Sequence, residues 1–159
     1  MIYDVRVAAT DADREACFAV RAAVFVVEQR VPREIEYDAH DADAVHVLAT
    51  GADGPPPSSR LRSGRGYPLG TGRLLTGLAE PGVGSLGRLA VTRAARGLGV
   101  GAALVRAIEA EAARRGLTAV DLHAQTHALG FYERLGYAPY GPEFDDAGMP
   151  HRAMRRTLG

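Results

Sequence analysis

Residues 3–9, YDVRVAA, alternate apolar and polar side chains and predict a strand with one face on a core. The period changes over 11–29, DADREACFAVRAAVFVVEQ. Cys17, Val20, Val24 and Val27 fall on one side of a predicted helix that Pro32 limits. Thr10 or Asp11 is placed to cap it, with Glu15 set for a reciprocal contact. An acidic loop follows at 34–44, then a strand at 45–50. Residues 51–69, GADGPPPSSRLRSGRGYPL, read as a mobile surface insertion. Strands at 70–77 and 85–92 are joined by a Pro-Gly turn. A helix over Gly99–Arg115 carries the apolar stripe Leu104, Val105, Ile108 and Ala112, with Arg106, Glu109, Glu111, Arg114 and Arg115 toward water. A strand at 117–125, a helix at 127–136, a strand start at 137–141, a turn at Gly148-Met149-Pro150 and a strand at 151–158 complete the chain.

Most neighbouring strands in this order are hairpin-joined, and one βαβ unit spans 86–125. That pattern predicts a mixed α/β fold, a mostly antiparallel sheet of six to seven strands with helices on its faces. The 159 residues form one expected domain, 1–159, without internal repeat. Lys+Arg and Asp+Glu both number 19, which favours neither a nucleic-acid nor a membrane-surface partner. One cysteine, Cys17, rules out an intramolecular disulfide and a cysteine metal cluster. The first residues have no apolar leader core, and no apolar run reaches membrane-span length, so a cytoplasmic protein is expected.

RGLGVGAALV, 96–105, is the chemical focus. Arg96 is followed by Gly97, Gly99 and Gly101 and then by helical periodicity. Glycines at a helix N-terminus let an anion reach unpaired N–H groups, which also carry the positive end of the helix dipole. A Walker A loop is excluded, because no Gly-Lys-Ser/Thr occurs. A dinucleotide fingerprint fits Gly97, Gly99 and Ala102, with Asp121 downstream. However, 92–96 separates the strand from the loop, and too little chain remains for a doubly wound sheet. The remaining reading is a pyrophosphate on the loop with an amide-bearing arm beside strand RLAVT.

RLAVTRAARGLGVGAALV resembles the acyl-CoA signature of the GNAT N-acetyltransferases, Arg/Gln-x-x-Gly-x-Gly/Ala, filled by Arg96, Gly99 and Gly101. The later family pattern is matched by Ala128, Phe131, Tyr132, Gly136 and Tyr137, with Gln125 where many members carry Asn. Residues 20–49 and 143–151 look like the ElaA/YjcF-like branch.

This resemblance implies an acyl-CoA-dependent N-acyltransferase that uses acetyl-CoA and no metal, and transfers acetyl directly to a small-molecule or peptide amine. A homodimer is common in the family. It implies a slot between splayed strands at 88–91 and 119–125, opened by a β-bulge. Leu89, Ala90, Val91, Arg96, Gly97, Leu98, Gly99, Val100, Gly101, Gln125 and Tyr132 would hold the donor. A backbone N–H of Leu89–Val91 would polarise the thioester carbonyl, and Tyr132 would protonate the sulfur. The alternatives are a non-catalytic acyl-CoA-binding module or an NAD-dependent oxidoreductase.

On the acceptor side, Arg21, Phe25 and Glu28 share a helical stripe and are expected to line the amine site, with His123 and His151. Glu28 is the favoured general base, and His46, His123 and His151 are further candidates. Glu34, Glu36, Asp38 and Asp41 are placed to attract a cationic amine, and their spacing does not match a calcium loop. Cys17 sits on the helix's inner face and is a poor nucleophile.

Overall fold

The computed structural model describes residues 3–51, 66–78 and 80–159. Its elements are β1 (Tyr3–Val7), α1 (Asp11–Arg21), α2 (Arg33–Glu36), β2 (Val45–Gly51), β3 (Tyr67–Leu75), β4 (Val83–Val91), α3 (Val100–Arg114), β5 (Ala119–Gln125), α4 (Leu129–Arg134), β6 (Ala138–Asp146) and β7 (Met149–Thr157). The seven strands form one sheet in the order β1-β2-β3-β4-β5-β7-β6. Every neighbouring pair is antiparallel except β4–β5, which the α3 crossover makes parallel.

The sheet is covered on both faces. Val47 and Ala49 of β2 pack with the α3 stripe of Leu104, Val105, Ile108 and Ala112, all fully buried. Leu48, pointing the other way, packs with Ala16 and Cys17 of α1. Ala90 joins Val20 and Val24 on that same face. Two buried faces explain why β2 and β3 are inaccessible almost throughout. Among the described residues no helix is long and apolar enough to cross a membrane.

Several boundaries differ from expectation for local reasons. Thr10 caps α1 by accepting from the Asp13 N–H, while Glu15 lies exposed. The α-helix ends at Arg21, and Ala22–Glu28 continues as a π-helix. The wider turn shifts the face, so Val27 is 71% exposed instead of joining Val20 and Val24 inside. The expected insertion is shorter than 51–69, because Gly51 ends β2 opposite Tyr67 at the start of β3; residues 52–65 lie outside the described residues. Glu109 and Glu111 are buried and not water-facing. Glu109 is bonded by Arg106 and Tyr137, and Glu111 by Arg114 and Arg115. The final turn is Ala147-Gly148, both at positive φ, so Met149 and Pro150 already belong to β7.

Candidate active site

The site begins where two strands part. The β4–β5 ladder runs from Val83↔Ala119 to Leu86↔Leu122 and stops, although both strands continue. The cause is an extra residue in β4: Thr71 faces Ala90, but Arg73 faces Gly87. Arg88 carries the bulge at φ 52°, a left-handed conformation uncommon for a residue other than glycine. Its guanidinium fixes it there by donating to the carbonyls of Ile35 and Glu36. Beyond the bulge, Thr92 donates to Leu69 of β3 at 2.8 Å. By alternation Val91 turns its N–H and C=O away from β3, into the gap.

At the far end of β4 the chain enters α3 through a left-handed Gly99, φ 82°, with no capping side chain. The helical ladder opens with Ala103 donating to Gly99, so the N–H groups of the first turn are unused. A Cβ on Gly97 would meet nothing, and one on Gly99 would lie 3.5 Å from the Tyr3 hydroxyl. The loop surface is therefore open to a ligand. Gly101 differs: its Cβ would stand 3.2 Å from Phe131, so this glycine lets α3 pack closely against α4. Val100 is buried in the core and Leu98 is exposed.

Arg96 donates through Nε to the Val91 carbonyl at 3.0 Å and through Nη2 to Glu28. Arg93 stands 3.7 Å from the same carboxylate. Glu28 thus belongs to the glycine loop's charge balance and does not line the cleft. The structure places this expected base beside Arg96 at the glycine loop.

The splay opens into a cleft of about 390 Å³. Leu89, Ala124, Gln125, Phe131 and Tyr132 are among the residues that line it. Tyr132 is 8% exposed, packed edge-on to Phe131 and Tyr137. Burial raises its phenol well above the ordinary value, and among the described residues nothing bonds its hydroxyl. Gln125 donates to Gln29 at 2.9 Å, tying the end of β5 to the end of the π-helix. Phe25, Gln29, His123, His127, Met149 and His151 line the cleft as well.

Arg21 does not reach that cleft. It is 1% exposed, donates to Glu36 at 2.8 Å and to Asp41 at 2.7 Å, and lies over the rings of Phe18 and Tyr37. The π-helical turns separate the Arg21, Phe25 and Glu28 stripe: loop cluster, cleft and Arg96 respectively. The acidic loop is equally changed. Asp38 and Asp41 are bonded by Arg73, and Glu36 by Arg21 and Arg88. Only Glu34 stays exposed without a role. Arg73 holds the Asp38 carboxyl down at about 2. Burial raises Glu36 despite its arginines. Three cations and three carboxylates leave no free negative field for an amine. Arg73 and Arg88 were missed from the sequence; arginine inside the apolar strands GTGRLL and GRLAV was the available signal.

His46 lies beneath this cluster, bonded to the Asp41 carbonyl and outside the cleft lining. Cys17 is fully buried and its thiol is pushed up to about 11, which keeps it unreactive. Asp121 is engaged by Arg155 and Tyr140, not held free for a ribose, and the mixed sheet excludes a dinucleotide fold.

The family described as Acetyltransferase (GNAT) domain matches residues 70–158, β3 to the end of β7. The chain belongs to the GNAT acetyltransferase family. A relative named uncharacterized N-acetyltransferase YjcF, from Bacillus subtilis (strain 168), is 35% identical over 87% of this chain and 89% of its own. Among solved structures, Escherichia coli ElaA superposes with TM-score 0.79 at 25% identity, covering 98% of this chain and 99% of that one. An acyl-CoA N-acyltransferase from Pseudomonas aeruginosa gives 0.75 at 29% identity, covering 98% of each. The resemblance read from the sequence, to GNAT enzymes and their ElaA/YjcF-like branch, is upheld. The expected NAD-dependent alternative is withdrawn.

Proposed function

We propose that this GNAT enzyme transfers the acetyl group of acetyl-CoA to a primary amine by direct attack, with both substrates bound together. The observation that carries this reading is one continuous path. It runs from the uncapped α3 N-terminus and Arg96, along the unpaired edge of β4, to the unbonded hydroxyl of Tyr132 in the cleft. The N–H groups of 97–101 and Arg96 would take the pyrophosphate. Leu89–Val91 would pair with the pantetheine amides, and the Val91 N–H would polarise the thioester carbonyl. Gln125 would stand beside the arm. The thioester supplies an activated acyl carbon and a thiolate leaving group, and Tyr132 would give that sulfur its proton. Its raised phenol suits donation rather than loss of a proton in the resting enzyme. Phe25, His123 and His151 would line the acceptor side, holding the amine near the carbonyl.

Calorimetric titration with acetyl-CoA and with NAD, followed by release of coenzyme A thiol across a panel of primary amines, tests this. Micromolar acetyl-CoA binding, silence with NAD and turnover on at least one amine are expected. Binding without turnover on any amine would favour a non-catalytic acyl-CoA-binding module.

A further inference from the structure

We propose that His151 is the general base of the acetyl transfer, acting through Nε2. The inference rests on the transferase reading and adds the group that takes the amine's proton.

Three observations place it. First, Nδ1 of His151 lies 2.9 Å from the Met149 carbonyl. A carbonyl oxygen only accepts, so in the neutral ring Nδ1 carries the hydrogen and Nε2 carries the lone pair. Second, His151 is 7% exposed yet lines the cleft, directly opposite Gln125 in the β5–β7 register. Cross-strand partners share a face, so the ring lies on the same side of the sheet as Gln125, on the part of β5 beyond its ladder with β4. Third, Phe144, its partner on β6, stacks on the ring at 6.0 Å and 27°, which limits its rotation. The tight Ala147-Gly148 turn presents both Met149 and His151. One short hairpin thus supplies the base, its tautomer-fixing carbonyl and its stacking partner.

The other candidates lack this combination. His46 is outside the cleft lining. His123 is exposed and touches Phe144 edge-on, with no bond to fix a tautomer among the described residues. Glu28 is held by Arg96. The remaining titratable groups lining the cleft, apart from the ion-paired Arg73, Arg88 and Glu36, are His127, Asp146 and Tyr132, none bonded to His151. Across the cleft, Arg73, Arg88 and Glu36 are committed to their ion pairs.

The proton balance is simple. An ammonium carries three protons on nitrogen and the amide product one. One lost proton passes through Nε2 of His151 to solvent, and the other restores to Tyr132 the proton it gives the coenzyme A sulfur. The C–N bond forms as the C–S bond breaks, with no change of oxidation state.

The test uses the full chain and the panel amine with the highest kcat/KM. His151→Gln should lower kcat about 100-fold or more, with acetyl-CoA affinity within twofold of wild type. It should also abolish the acid limb of the kcat/KM–pH profile. A structural role alone would leave that limb in place. Long-range ¹H–¹⁵N spectra of histidine-labelled protein, assigned with the same variant, should show the Nδ1–H tautomer at pH 8. Unchanged kcat, a retained acid limb, or the Nε2–H tautomer would each overturn the assignment alone. No turnover by wild type on any amine would overturn the transferase reading and the base with it.

Discussion

Arg96 donates to both carboxylate oxygens of Glu28, at 3.0 and 2.9 Å, joining the π-helix to the glycine loop. The pair sits where an anionic pyrophosphate would lie, so the carboxylate repels the ligand that the arginine attracts. Glu28→Gln should therefore tighten acetyl-CoA binding by about threefold, the size expected of one partly exposed charge. Calorimetry decides it. Weaker binding in the variant would mean that Glu28 positions Arg96 rather than competing for it.

The glycines of the loop should separate by readout. At Gly99, φ 82° makes any β-branched residue strained by about 1–2 kcal/mol, and the side chain would stand on the open anion surface. Gly99→Val should raise the acetyl-CoA Kd at least tenfold while lowering Tm by only about 2–8 °C. Gly101→Leu drives into Phe131 and should lose about 1–3 kcal/mol of stability. Parallel melting curves and titrations check both. A Gly101→Leu protein of wild-type stability would contradict the packing role.

Tyr132→Phe removes a hydroxyl that nothing bonds among the described residues, so no buried partner is left unpaired. Tm should stay within about 2 °C and the acetyl-CoA KM within twofold. If the hydroxyl protonates the sulfur, kcat should fall about 100-fold. A normal kcat would remove Tyr132 from the chemistry.

The arginine–carboxylate cluster sets the acid limit of stability. Asp38 is held at about 2, below its ordinary value, so its stabilisation is present above about pH 4 and lost as pH falls toward 2. Glu36 has the opposite sign: burial raises it, and its protonation relieves a native-state cost. Asp38→Asn should flatten the stability profile between pH 4 and 2, by on the order of 1 kcal/mol after solvent screening. Urea denaturation at each pH measures it. An unchanged acid limb would place the acid sensitivity elsewhere.

Arg21 is the cluster's buried keystone cation. Arg21→Met leaves Glu36 and Asp41 short of a partner and should destabilise by about 3–5 kcal/mol. Circular-dichroism melting would show it, and a stable variant would mean that Arg73 and Arg88 suffice.

Much of the molecule was legible as one-dimensional pattern. The α3 stripe, the alternation of β2, the βαβ unit and the glycine loop after a strand are local periodicities, and local periodicity is written in the chain. Gly99, Tyr132 and the strand before the loop were singled out because a family motif occupies consecutive positions. The tertiary structure alone decided where charges and rings meet. A helical wheel puts Arg21, Phe25 and Glu28 together, but the π-turns after Arg21 send them to three places. The acidic loop read as open until Arg21, Arg73 and Arg88 arrived from three other elements to neutralise it. Gly101 shared its neighbours' sequence signature, yet Phe131, thirty residues on, fixes its purpose. His151 gained its stacking partner Phe144 only when β6 and β7 closed on Ala147-Gly148. Ion pairs, bulges and ring stacks depend on partners brought from distant sequence, and no local pattern records who those partners are.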